Sequence, residues 1–226
     1  MITPPRISKQ TPVFNYCKTL DGKSKRDFEM VIARYDEDIS WSDNYKSFRT
    51  VYNKGEPISN VESIFLNNEG HLAHTLLTHI VTNYDRLAET TFFTHGSFNY
   101  RNDQLIKDTY PCHRLFSEFI VSDPNTLVYI PRRDSPAKTQ KFYDYPDTTE
   151  TVFQRIFNTP YPSNPYIWGC GKIVTVGKNL ILKRPKCFYE NVLEFIMSPH
   201  NGEEPSQHVY RTRGIYIERF FLLFFN

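Results

Sequence analysis

The stretch Phe28-Glu29-Met30-Val31-Ile32-Ala33-Arg34-Tyr35-Asp36-Glu37-Asp38 decides the fold. Met30, Val31, Ile32 and Ala33 form a short apolar run with β-branched members, which suits a strand covered on both faces. The character then changes within one residue. Arg34, Tyr35, Asp36, Glu37 and Asp38 place one cation, one aromatic ring and three carboxylates just past the strand. In open α/β sheets, ligands bind in the crevice beyond the carboxyl ends of the strands. The face of Tyr35 can stack on a base, and Arg34 can hold a phosphate or pin a carboxylate. A solvated turn, its charges only keeping the loop in water, is the plain alternative.

The same pattern recurs downstream. Residues 48–52 alternate as a second strand, which ends at the turn Asn53-Lys54-Gly55. Residues 90–94 read as a third buried strand ending at His95-Gly96-Ser97, where glycine lets a backbone approach a ligand closely. Between them lies the clearest helix, 67–83, with Leu72, Leu76, Leu77 and Ile80 at helical spacing and Asn67 or Asn68 as its cap. Its free N–H groups can receive an anion. Strands alternating with helices predict an α/β domain, with helices flanking a mainly parallel sheet. Residues 1–27, broken by Pro4, Pro5 and Pro12, read as an extended arm before a single domain over 28–226. Short helices are expected at 39–45 and 112–121, a strand at 126–130 and a helix at 147–157. A strand at 172–176 then turns at Gly177-Lys178-Asn179 and returns over 180–182. Pro185 opens a helix to about residue 197. A polar loop over 199–213 precedes an apolar terminal helix interrupted by Glu218-Arg219.

Composition removes several classes. The 39% hydrophobic and 23% charged residues indicate a globular chain, and 226 residues fill one large domain. A net charge of +2 is too small a bias for a nucleic-acid binder, which shows a basic stripe. Four cysteines without a C-x-x-C pair argue against a zinc site or a disulfide framework and for a reducing compartment, so a cytoplasmic protein is expected. The N-terminus has no signal-peptide core, and no apolar run approaches the roughly 20 residues of a membrane span. Neither a Gly-rich phosphate loop, a G-x-S-x-G elbow nor an H-E-x-x-H motif occurs, which removes the motif-bearing forms of those enzymes. His71 and His74, three apart, are a weak metal pair; hydrogen-bonded or surface histidines are the plainer reading. Glu218 either pairs on an exposed face or points into a pocket, where it can act as general base.

Several blocks resemble a known family. Val31-Ile32-Ala33-Arg34-Tyr35-Asp36-Glu37-Asp38-Ile39-Ser40-Trp41 resembles the opening V-x-A-R-Y-N-E-D-x-x-W of an uncharacterised family of fungi, algae and large DNA viruses. Val51-Tyr52-Asn53-Lys54-Gly55 is similar to its second block. Asn68-x-Gly70-His71-x-x-His74-Thr75, continuing to Asn83-Tyr84-Asp85, is similar to its third. Phe92 to Gly96, Arg184-Pro185-x-x-x-Tyr189 and Gly214-x-x-x-Glu218-Arg219-Phe220 resemble later blocks, so the likeness spans about residues 28 to 224. The abundance of Asn, Lys, Ile, Phe and Tyr suits an AT-rich genome such as that of a large virus, which would place the protein in host cytoplasm.

That family resembles nucleotide-sugar glycosyltransferases of the type-A fold. The resemblance implies transfer of a sugar from a nucleoside diphosphate sugar to a glycan or other hydroxyl acceptor. It places Ala33, Arg34, Tyr35 and Asp38 beside the nucleotide, and Asn53, Lys54, Asn68 and Gly70 in the donor pocket. His95 and Gly96 stand where such enzymes often carry an Asp-x-Asp motif for Mn²⁺ or Mg²⁺; this chain has none there, so either Arg, Lys and helix N-termini neutralise the diphosphate, or a nearby carboxylate such as Asp103 substitutes, or activity is absent. Glu218 is the expected base, His95 a second catalytic candidate, and Arg184 a further partner of the diphosphate. Where the family's third block carries Arg-Glu, this chain has His71-Leu72. The alternative is a binding or structural module that has the fold without the chemistry.

Overall fold

The computed structural model describes Leu20 and residues 22–97, 119–132, 137–143, 145–163, 166, 168–199 and 204–225. Among the described residues, six strands form one sheet in the order β3-β2-β1-β4-β6-β5. These are β1 (Phe28–Arg34), β2 (Arg49–Asn53), β3 (Ser63–Phe65), β4 (Thr90–His95), β5 (Leu127–Arg132) and β6 (Trp168–Gly177). The helices are α1 (His71–Asn83), α2 (Thr149–Phe157), α3 (Lys178–Ile181), α4 (Lys186–Met197) and α5 (Gln207–Phe224). The segment expected as a helix over 112–121 lies largely outside the described residues.

β1 is the central strand of the parallel half. All seven of its residues are buried, because helices and loops cover both faces of the sheet. The period-2 alternation sorts its side chains. Val31 and Ala33 join Tyr52, Phe93 and Val174 under α1, α4 and α5. Phe28, Met30 and Ile32 join Val51, Phe92 and Phe119 on the other face, with Leu20 from the expected arm packed among them. In α1, Leu72, Ala73, Leu76, Leu77 and Ile80 are fully buried as one stripe on the sheet. The second half of α5 is largely apolar, and Tyr216, Ile217, Phe220, Phe221, Leu222 and Phe224 are buried.

The sheet is mixed rather than mainly parallel. β3, β2, β1 and β4 are parallel, but β6 runs antiparallel to β4, and β5 antiparallel to β6. Three further expectations change. The return strand over 180–182 is instead α3 and the turn after it, because Gly177 is followed directly by helical turns. The loop over 199–213 already contains two turns of α5, begun by Ser206, whose side chain accepts from the Val209 N–H. α1 starts at His71 with Gly70, not an asparagine, at its N-cap and no side-chain cap.

Candidate functional site

β1, β2 and β4 end together at one edge of the sheet. Arg34 pairs with Asn53, and Ala33 with both Tyr52 and His95. The Lys54 N–H donates to Arg34 O at 2.8 Å and the Gly96 N–H to Ala33 O at 2.8 Å, extending the ladders past the strands.

The β1 end is occupied by the protein itself. The buried Arg34 guanidinium donates to Asn53 Oδ1 at 2.6 Å, to Glu56 O at 2.8 Å and to Glu37 O at 3.1 Å. Asn53 Nδ2 donates to the Gly55 and Glu56 carbonyls. Both side chains, expected at the donor, therefore tie the β1 and β2 loops together. Asp38 is turned back on Ser40, accepting from its N–H and its hydroxyl. Gly96 lies against Glu37: a Cβ there would stand 2.9 Å from Glu37 Oε2. Tyr35 stays exposed, with its ring on the surface. His95 is half-buried, on the same sheet face as Phe93 by alternation.

The open part of this edge lies at the start of α1. Lys54 is buried, and its Nζ donates to the Glu69 and His71 carbonyls at 2.7 Å each. Burial pulls its pKa down to about 7, against the opposing charges of Glu69 and Glu218. Glu218, on α5, is near enough to Lys54 to act on it through its charge. Burial also pushes the Glu69 carboxyl up, and Glu69 Oε2 is buried without a hydrogen bond. His71 and His74 are both held down at about pKa 4: burial dominates, Lys54 adds to it in both, and Arg211 acts on His71. Gly70 and His71 carry φ of 56° and 51°, so the chain enters the helix through two left-handed residues. For histidine this conformation is uncommon, and such strain concentrates at functional sites.

α5 closes the site. At Gly214 a Cβ would stand 2.5 Å from Gly70 O, so only glycine lets the two backbones come this close. One turn before Gly214 on that face is Arg211, and before it Gln207. With Asn68, Gly70 and His71 they line a cavity of ≈ 260 Å³.

Arg184 is not brought to this site. α1 spans about 20 Å, and Arg184 lies at its far end, where Tyr84 donates to its carbonyl at 2.6 Å. Its own guanidinium reaches Leu223 O at 3.5 Å and stands over the Phe188 ring. The i-to-i+4 reach of a sequence block says nothing about which end of a crossing helix it meets. Conversely, Arg211, Gln207 and Glu69 are site residues that sequence reading misses. The signal for the first two is Ser206: read as a cap, it starts α5 early and sets Arg211, Gly214 and Glu218 on one face. Asp103 lies outside the described residues. Among the described residues, no group of three or more His, Cys, Asp or Glu is placed to hold a metal ion.

Residues 30–226 match a family described as "Protein of unknown function (DUF3431)". The chain belongs to the DUF3431 family. The comparisons find no curated protein and no solved structure that matches it. No helix among the described residues is long and apolar enough to cross a membrane.

Proposed function

We propose that this DUF3431 protein transfers a sugar from a nucleotide-sugar to an acceptor hydroxyl, on a domain akin to the type-A glycosyltransferases, with the cavity at the start of α1 as its donor site. One observation carries the reading: an uncapped helix N-terminus and the cation of Arg211 share a cavity at the carboxyl edge of parallel strands, one turn of α5 from Gly214 and two from Glu218. Departure of a nucleoside diphosphate places its largest electrostatic demand on the leaving oxygens. The unbonded N–H groups of the first turn of α1 and the Arg211 guanidinium are the donors for that charge. Lys54, fixed behind them on two carbonyls, adds positive potential at the same helix end. Glu218 takes the proton of the acceptor hydroxyl. The acceptor oxygen bonds the anomeric carbon, the carbon–oxygen bond to the diphosphate breaks, and its electron pair leaves with the diphosphate. His95 is the second catalytic candidate on this reading, and the exposed Tyr35 ring offers a stacking face for the base.

The test is thermal melting with nucleoside diphosphates and nucleotide-sugars, together with an assay for released nucleoside diphosphate. A ligand at 100 times its dissociation constant stabilises by about 2.7 kcal/mol, which moves the midpoint by roughly 5–10 °C in a chain of this size. A shift abolished by Arg211→Ala, with turnover abolished by Glu218→Gln, is the expected result. A shift without turnover would favour a non-catalytic binding module on the same cavity. No shift with any of these ligands would remove the reading.

A further inference from the structure

A second polar cavity, of ≈ 310 Å³, lies at the opposite, amino edge of the sheet. Its floor is built from three elements. Glu29 stands near the start of β1, Tyr52 on β2 and His79 on α1, all on the sheet face that α1 covers. His79 is 1% exposed and Glu29 8%. The Tyr52 hydroxyl lies 3.2 Å from His79 Nδ1, and Asn83 Nδ2 3.4 Å from the same atom. An amide nitrogen only donates, so Nδ1 accepts and the ring hydrogen sits on Nε2. That hydrogen faces Glu29 Oε2 at 3.4 Å without forming an aligned hydrogen bond. The other carboxylate oxygen accepts from the Thr50 hydroxyl and lies 3.4 Å from Lys25 Nζ. Burial alone would push the Glu29 carboxyl up, but His79, Thr50 and Lys25 outweigh it and hold the group below its usual range.

The rim has the opposite charge. Lys25, Arg26 and Arg86 all line the cavity. Arg86 Nε donates to Asn83 Oδ1 at 3.0 Å, which leaves its terminal amino groups for a ligand. The Arg26 guanidinium engages no described residue. Three cations against one carboxylate leave two positive charges, the complement of a phosphate monoester, which carries about −1.5 to −2 near neutral pH. A buried ionised carboxylate at the floor is an acceptor only, and what it recognises is a donor such as a hydroxyl. The volume sits at the lower limit of small-ligand sites.

From this arrangement we propose that the amino-edge cavity binds a small phosphorylated polyol, its phosphate on Arg26 and Arg86 and a hydroxyl on Glu29. The site is separate from the cavity at the start of α1, because α1 runs the depth of the sheet between them. It needs no chemistry of its own and fits a ligand that is sensed or held rather than converted.

Calorimetric titration with glucose 6-phosphate, glucose and inorganic phosphate tests this on the full chain. The sugar phosphate is expected to bind saturably and more tightly than either fragment. Arg26→Ala and Arg86→Ala, both surface changes, should each weaken it about tenfold or more, while Arg211→Ala leaves it unchanged. Glu29→Gln should lower affinity for the sugar phosphate and spare that for inorganic phosphate. Absence of saturable binding by folded protein overturns the proposal. So does binding that survives both rim substitutions, or one that Arg211→Ala removes. Equal affinity for inorganic phosphate and the sugar phosphate overturns the assignment of a polyol ester. If Glu29→Gln does not fold, the rim variants decide alone.

Discussion

Arg34 shows how a residue expected beside a ligand also holds the fold together. Its guanidinium holds three acceptors from two loops in a buried setting. Arg34→Ala strands those acceptors and should cost about 2–4 kcal/mol in a urea melt, whereas Tyr35→Ala, at the surface, should stay within about 0.5 kcal/mol. The histidines at the start of α1 make a prediction in pH. In the unfolded chain they titrate near 6.5, but in the fold only near 4. Between those values the unfolded state binds protons that the folded state refuses, so stability falls as pH drops from 6.5 to about 4. Denaturant melts across that window should show the fall, and the double substitution His71→Gln, His74→Gln should flatten it. Lys54 acts on the alkaline side. Its folded value of about 7 lies below the unfolded 10.5, so its contribution to stability rises with pH above 7. Between pH 7 and about 9 that rise should be visible in wild type and smaller in Lys54→Met.

At the scale of elements, the contact of α5 with the start of α1 sets the site. A glycine inside an exposed helix gains up to about 1 kcal/mol when changed to alanine. At Gly214 the sign reverses, because the added carbon meets the Gly70 carbonyl. Gly214→Ala should destabilise by about 1–3 kcal/mol, read by chemical denaturation, and should weaken any ligand of the α1 cavity. Ser206→Ala, which removes the cap of α5, should cost about 1 kcal/mol. β1, β2, β4 and α1 are legible in the sequence because their apolar residues carry a clean period and bury a full face. β3 is not: it has three residues, all exposed, with Ile64 and Phe65 turned to solvent at the sheet edge. The first turns of α5 are hidden by Gln207, His208 and Arg211, which read as loop unless Ser206 is taken as a cap. Lys54, Asn68, Gly70 and Glu218 are visible as ends of elements. Arg211 becomes a site residue only when two helices meet.

At the scale of the molecule, one helix separates two polar edges. The carboxyl edge carries Lys54, His71, Arg211 and Glu218; the amino edge carries Glu29, His79 and the rim cations. The direction of β6 makes the sheet mixed, and nothing in Ile173-Val174-Thr175-Val176 encodes it, since a buried strand reads the same both ways. Direction follows from where the chain enters, which is a property of the whole topology. The same holds for Arg184, whose block resembles the family's but which lies a helix length from the proposed donor. The central claim is that a nucleoside diphosphate binds at the start of α1. Amide hydrogen exchange with and without a nucleoside diphosphate locates it directly. Added protection at residues 67–74 and 207–218, with the loop around Tyr35, is the predicted result. Protection at residues 25–29 and 82–86 instead, or none in a protein that binds the ligand, would contradict it.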